Sequence, residues 1–407
     1  MAIYGNVPVT PAFPFATAKP DKSAKATEPK GILLYIHVPF CRAKCHYCAF
    51  HSEPFTSSKF DWYYSTLLQE IELWGKRLNR PKVQTVFFGG GTPSLAPLHR
   101  MDGIFKQLHQ WFDIHPEAEI SMEANPESSQ DESWFRGLLS IGFNRLSLGV
   151  QSLSDDVLLR LGRPHSAAQA VTAFATARQA GFNNISMDLI WGLPEQTFPD
   201  WAKQLKSVVQ MKPDHISCYG LSLDEGSHFS KLEEDGVDLQ LPDEQQGGRM
   251  YLYGAEFLEA HGLIQYEVSN FAKIGYTCRH NIGYWQGVDY LGLGPAATST
   301  IGTRRFTNPK DLMEYEDTVT QGRSGADFEH LDKETQTQEW VMLSLRTTMG
   351  LDLKEYKERT GKDLNKVQKP LIEALYRNNL IRINKGMLRL TREGMLVSNT
   401  IVERLAF

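Results

Sequence analysis

The sequence predicts an α/β fold: a partial, TIM-like (βα)6 barrel, followed by an α+β C-terminal domain with a winged-helix-like end. Three observations predict it. Six strand-length runs rich in β-branched and aromatic residues alternate with helical stripes over about 190 residues, and parallel strands need such crossovers. Cysteines, glycines and lone polar residues collect just after the runs, at the end where barrels of this kind carry their chemistry. Beyond Asp327 the alternation stops.

The strands are expected at Ile32–Val38, Val83–Phe88, Glu119–Met122, Arg145–Val150, Asn184–Ile190 and His215–Ser222. Between them, Lys59–Arg80 carries Tyr64, Leu67, Leu68, Ile71, Trp74 and Leu78 on one stripe before Pro81 ends it. Further helices are expected at Leu98–Phe112, Ser166–Ala180 with Gly181 as cap, and Asp200–Met211. Residues 1–30, rich in Pro, Ala and Lys, read as a flexible N-terminal arm without the apolar run of a secretory signal. Residues 31–235 then form the barrel, 236–326 an extension, and 327–407 the C-terminal domain. That last segment holds helical patterns at Glu339–Thr347 and Leu364–Asn378, then a hairpin over Ile381–Leu390 turning at Asn384-Lys385-Gly386.

Apolar residues at 41% and charged residues at 22% are ordinary globular usage. No run approaches the roughly 18 apolar residues of a membrane span, so a soluble protein with at most peripheral membrane contact is expected. A net charge of -5 gives no general attraction for nucleic acid, and residues 327–407 are balanced in charge, which favours a lid or partner surface over DNA binding. Five cysteines, three of them within eight positions, fit metal or redox chemistry in a reducing cytoplasm better than disulfides.

Cys41, Cys45 and Cys48 form C-x3-C-x2-C after the first strand, a spacing that lets three thiolates cap three irons of a 4Fe-4S cluster and leaves one iron open. An open iron can chelate the amino and carboxylate groups of S-adenosylmethionine, and the reduced cluster can pass an electron to the sulfonium. A zinc site assisted by His46 and His51, or three ordinary thiols, are the alternatives. Gly89 to Pro93 can bring bare backbone close to a ligand, or be a plain turn. Glu123 can accept from an ammonium, while Gln151 and Arg163 can hold the ribose and carboxylate, the arginine through its forked donors. Taken singly, such residues are usually surface; their shared rim singles them out. Cys218 reads as core packing, and Cys278 is open.

The motifs Tyr35-Ile36-His37-Val38-Pro39-Phe40-Cys41, Gly-Gly-Gly-Thr-Pro-Ser at 89–94, Glu123 with Asn125-Pro126, Gln151-Ser152, Leu161-Gly162-Arg163 with His165, and Gly192-Leu193-Pro194 resemble the oxygen-independent coproporphyrinogen III oxidases and their relatives in the radical SAM superfamily. The likeness runs over nearly the whole chain. It implies cluster ligands at Cys41, Cys45 and Cys48, with Tyr35, Phe50, Gly90, Thr92, Glu123, Gln151, Arg163 and Asp188 around S-adenosylmethionine. True porphyrinogen dehydrogenases carry a further cysteine two residues after the third ligand; here Phe50 stands there, leaving enzymatic activity open. Tyr266-Glu267-Val268-Ser269-Asn270-Phe271-Ala272 and His280-Asn281-Ile282-Gly283-Tyr284-Trp285 are similar to the HemW-type haem chaperones. By that resemblance His280 is expected to ligate haem, with Tyr284 and Trp285 against the macrocycle; the alternative is an interface segment with a satisfied histidine. Two departures stand out: relatives usually read Gly-Ala-His where this chain has Ala296-Ala297-Thr298, and glycine where it has Glu195.

The expectation is therefore a cytoplasmic protein that binds a 4Fe-4S cluster, S-adenosylmethionine and haem, and delivers haem to acceptor haemoproteins. Flavodoxin or NADH is the expected kind of reductant, and a homodimer is left open. One rival is a radical-SAM oxidoreductase or methyltransferase acting on a porphyrin or other planar substrate. The other is a zinc-stabilised nucleic-acid binder.

Overall fold

In a computed structural model, which describes residues 31–128 and 131–406, seven parallel strands form the centre of one twelve-stranded sheet. The expected arm at 1–30 lies outside the described residues. Six of the parallel strands are β1 (Ile32–Val38), β2 (Lys82–Gly90), β3 (Asp113–Ala124), β4 (Arg145–Gln151), β5 (Ile185–Trp191) and β6 (His215–Gly220). On the far edge, β7 (Ile264–Gln265) and β8 (Asn270–Ala272) continue the sheet antiparallel to β6 and to each other. The seventh parallel strand, β9 (Tyr290–Leu293), pairs with β1, and β10 (Thr298–Ile301), β11 (Arg304–Thr307) and β12 (Glu329–His330) follow it antiparallel. Among the described residues no strand pair joins the two ends of this order, so the barrel is partial. At four residues, β9 is too short for a periodic signal, which is why sequence reasoning found six parallel strands.

Covering this sheet are α1 (Ser57–Arg77), α2 (Leu98–Trp111), α3 (Glu132–Ile141), α4 (Asp155–Arg160), α5 (Ala167–Ala180) and α6 (Phe198–Gln210). Capping fixes where α1, α5 and α6 begin: Thr56 accepts from the Lys59 amide, and Ser166 with Gln169, and Thr197 with Asp200, form reciprocal capping boxes. Pro81 is not what ends the first stripe: α1 stops at Arg77, and Asn79 and Arg80 already stand in left-handed conformations before the proline.

Strand side chains alternate between faces, and here the two faces differ in kind. One set, Leu34, Ile36, Val86, Phe88, Met122, Leu146, Leu148, Met187, Leu189, Ile216 and Cys218 among them, packs under the helices as the main core. Cys218 thus takes the packing position expected of it. The alternate set is largely polar: Tyr35 and His37, Glu119 and Glu123, Arg145 and Ser147, Ser186 and Asp188, His215 and Ser217. These face the inside of the partial barrel, which is therefore built to hold a polar site at its strand ends.

Beyond α7 (His228–Glu234) and α8 (Glu244–Ala260), the short α9 (Arg279–Trp285) carries the His280 stretch, and α10 (Leu312–Thr320) follows the edge strands. The C-terminal part contains α11 (Lys333–Leu345), strand β13 (Leu351–Asp352), α12 (Leu353–Thr360), α13 (Leu364–Val367) and α14 (Lys369–Arg377). A hairpin of β14 (Ile381–Asn384) and β15 (Met387–Leu390) turns through left-handed Lys385 and Gly386, as its sequence predicts. Its own core includes Leu345, Leu351, Ile381 and Leu388, and Tyr251 of α8 joins it. The stretch Tyr266–Ala272 fastens this part to the barrel, since the Val268 amide donates to the Arg346 carbonyl at 3.0 Å and the Thr348 amide to the Tyr266 carbonyl at 3.1 Å.

Candidate functional site

A cavity of about 640 Å³ opens at the C-terminal ends of the parallel strands. Its wall takes Tyr35 from β1, Cys41, Cys45, Cys48 and Phe50 from the loop after β1, and Gly90 and Thr92 from the end of β2. Glu123, Gln151, Arg163 and Asp188 complete it from the next strands and loops, and His280 and Tyr284 reach it from α9. Trp285 is not among the lining residues.

Polar contacts tie the cysteine loop to its neighbours. Thr92 Oγ1 donates to Cys41 Sγ at 3.5 Å, and Asn125 Nδ2 donates to Thr92 Oγ1 at 3.1 Å. Arg163 Nη1 donates to Cys45 Sγ at 3.3 Å, while its Nη2 donates to Asn125 Oδ1 at 2.7 Å and the Gly149 carbonyl at 2.9 Å. Glycine at 149 leaves room for this network: a Cβ there would sit 3.0 Å from Asn125 Oδ1 and 3.1 Å from Gln151 Nε2, pressing both side chains back. At Gly90, with φ at 108°, a Cβ would strike the His37 ring at 2.6 Å. The Gly90 amide donates to Glu123 Oε2 at 3.2 Å.

The carboxylates are held in unusual states. Loss of water, then repulsion from Asp188, pushes the Glu123 carboxyl up to about 8. Burial also raises Asp188, although three hydroxyls donate to it: Ser147 at 2.8 Å, Ser186 at 2.9 Å and Ser217 at 2.7 Å. Arg163 Nε is buried without a partner, a donor that a ligand acceptor would satisfy.

The donor set fits a cluster better than a single ion. A zinc site needs donors converging at about 2.0–2.3 Å on one point, and no three Cys, His, Asp or Glu side chains converge in this way among the described residues. A cubane takes one thiolate per iron at separate corners, and three separate thiols line one cavity. His46 is turned to the framework, its Nδ1 2.7 Å from the Arg160 carbonyl and its ring against His228. His37 Nε2 donates to the His51 carbonyl at 3.2 Å, and its Nδ1 lies 3.2 Å from the Tyr35 hydroxyl.

His280 is 1% exposed. Its Nδ1 shares a 2.7 Å hydrogen bond with Thr85 Oγ1, its ring stacks 5.0 Å from Phe87, and Tyr284 meets it edge-on at 4.8 Å. Burial holds the imidazole down at about 3, hence neutral, and Nε2 is buried without a partner. Haem iron can reach that nitrogen only if the surrounding rings part. Glu119 anchors the helix start, accepting from the amides of Arg279 at 2.9 Å and His280 at 3.0 Å and from the Cys278 thiol at 3.5 Å. Cys278 thus sits buried at the N-cap position of α9, while the Glu119 carboxylate does the capping.

Sequence reasoning assigned no site role to Asn125, Ser147, Ser217 or Glu119. Their signal was available in part, because each occupies an inward position in an alternating strand or lies just beyond one. The two places where the family pattern has glycine, Glu195 at φ 58° and Ala296 at φ 60°, sit in left-handed backbone, the conformation in which glycine is easiest, whereas Thr298, in place of the histidine, lies in the edge strand β10.

Comparison with known proteins gives a consistent set of likenesses. Residues 35–207 match the radical SAM superfamily model, and residues 331–397 match the HemN C-terminal domain. The heme chaperone HemW of Bacillus subtilis is 35% identical, over 90% of this chain and 97% of that protein. HemW of Mycobacterium tuberculosis is 34% identical, over 93% and 95% respectively. Among solved structures, the radical SAM enzyme coproporphyrinogen III oxidase (HemN) of Escherichia coli superposes with a TM-score of 0.80 at 25% identity, covering 93% of this chain and 91% of that one.

Proposed function

Since this chain belongs to the HemW family of the radical SAM superfamily, we propose that it is a haem chaperone that carries a 4Fe-4S cluster and S-adenosylmethionine and hands haem to acceptor haemoproteins in the cytoplasm. The observation that carries the cofactor part is the convergence of three thiols, two carboxylates and a partly unsatisfied guanidinium on one cavity. Cys41, Cys45 and Cys48 hold the cluster. When bound, it supplies one electron to the sulfonium of the cofactor.

The remaining roles belong to side chains of this chain. Glu123, stripped of water and repelled by Asp188, accepts the methionine ammonium; a positive charge beside it restores its ionised form. Arg163 and Gln151 orient the carboxylate and ribose, and Tyr35, Phe50, Gly90, Thr92 and Asp188 shape the pocket around them. Of the expected haem contacts, Tyr284 stands on the cavity wall, His280 becomes one only if Phe87 and Tyr284 part from its ring, and Trp285 lies off the wall. An external reductant such as flavodoxin or NADH supplies the electron, and the C-terminal part serves as a lid or partner surface.

A radical-SAM enzyme acting on a porphyrin is the second reading, favoured by the superposition on coproporphyrinogen III oxidase and opposed by Phe50. Anaerobic reconstitution tests the proposal. About four irons per chain, a brown chromophore perturbed by S-adenosylmethionine, and haem transfer to an apo-haemoprotein without substrate turnover are expected. Conversion of a porphyrin coupled to release of 5'-deoxyadenosine establishes the enzyme instead, and a colourless zinc protein ends the cluster assignment.

A further inference from the structure

A second cavity of about 660 Å³ adjoins the first and contains no thiol. Tyr35, Lys44, Phe50 and Tyr284 line both, so the two share a wall at the cysteine loop. The second lobe differs in chemistry from the first. Its wall carries the rings of Tyr35, Phe50, Tyr284 and Tyr290, the last two meeting edge to face at 4.6 Å, among small residues, and its charges are Lys44, Lys310 and a single carboxylate, Glu225. Neither lysine has a carboxylate within ion-pair distance among the described residues. Phe50 is 71% exposed at the boundary between the lobes, an apolar ring left in water unless a ligand covers it.

We infer that this second lobe is a binding site for a flat tetrapyrrole bearing carboxylate side chains, its plane against Phe50 and Tyr284 and its carboxylates toward Lys44 and Lys310. The inference rests on the haem-carrier reading and adds to it where the ligand sits and how it is recognised. A volume within the roughly 300–1,000 Å³ of small-molecule pockets, aromatic walls and separated cations match that class. The site presents no exposed imidazole nitrogen to the metal: both nitrogens of His37 are engaged, His51 Nε2 has no partner but is buried, and Thr298 lines the wall where the resembling family carries histidine. Recognition therefore comes from the ring and its carboxylates, with little contribution from iron. A carrier that must release its cargo benefits from that, since a strong axial bond slows dissociation.

The test uses the full chain with its cluster reconstituted anaerobically, titrated with haem, metal-free protoporphyrin IX and haem dimethyl ester. Wild type is expected to bind haem and protoporphyrin within about threefold of each other, and the dimethyl ester about tenfold more weakly. Lys310→Glu, on an exposed residue outside the cysteine loop, is expected to weaken haem about five- to tenfold and leave the ester unchanged. An ester that binds as tightly as haem, together with an unaffected Lys310→Glu, overturns this site while leaving haem carriage standing. A requirement for iron, with protoporphyrin failing to bind, overturns the mode of recognition. Absence of haem binding in wild type with an intact cluster overturns the carrier reading itself, and this site with it.

Discussion

Arg163 donates to Asn125 Oδ1 across 2.7 Å, and that bond locks the turn after α4 to the loop after β3 directly beneath Cys45. The same Asn125 donates to Thr92, which in turn donates to Cys41, so two of the three thiols share one chain of hydrogen bonds. Second-layer contacts of this kind fix the orientation of metal ligands.

Arg163→Lys should therefore fail to replace the arginine, because an ammonium cannot span Cys45, Asn125 and Gly149 in one plane. Loss of a charged hydrogen bond is worth about 1.5–3 kcal/mol, so S-adenosylmethionine affinity should fall about tenfold to a hundredfold. Calorimetric titration of the reconstituted protein, with iron content measured in parallel, checks this. Unchanged affinity would remove Arg163 from the site.

Glu123 makes the stability of the cofactor-free protein depend on pH. Its carboxyl rises from 4.5 to about 8 on folding, so the folded chain holds the proton more tightly than the unfolded chain. That contribution is complete below about 4.5 and is lost as pH rises through about 8. Glu123→Gln does not ionise, so its advantage over wild type should grow across this window, reaching about 1–3 kcal/mol at pH 8.5. Urea unfolding at several pH values measures it, and a difference independent of pH would contradict the assignment. The same substitution should weaken S-adenosylmethionine binding.

Ala296 and Glu195 sit in left-handed backbone at φ 60° and 58°. Relief of about 1 kcal/mol of strain, less the extra chain entropy of glycine, predicts that Ala296→Gly stabilises by about 0.5 kcal/mol. Glu195→Gly should be close to neutral, because it also gives up the exposed 2.8 Å ion pair with Arg160. Chemical denaturation of both variants distinguishes them.

His280→Ala removes a buried, stacked and hydrogen-bonded ring and should destabilise the chain by about 2–4 kcal/mol. Haem affinity of the folded variant should stay within about threefold of wild type, because Nε2 is enclosed. Haem titration beside thermal unfolding separates the two effects, and a large affinity loss at preserved stability would restore a direct role for His280.

How much was legible in the sequence follows from what each signal depends on. The predicted run Ile32–Val38 coincides with β1, and the other five runs fall on the parallel strands, because alternating burial writes itself into residue order. The cysteine spacing and the loops that follow the strands were likewise local patterns, and the structure places thirteen of the fourteen candidate residues around one cavity, omitting Trp285.

The sequence by itself thus determined the strand alternation, the end of the sheet where the chemistry gathers, and the thiol trio. Tertiary structure alone decided that a four-residue strand extends the parallel sheet past β1, that Asn125 joins two thiol-bearing loops, and that His280 is enclosed between Phe87 and Tyr284. The reason is physical. Local periodicity records which face of an element is buried, whereas these contacts join residues far apart in the chain, whose meeting depends on how the whole sheet curves around them.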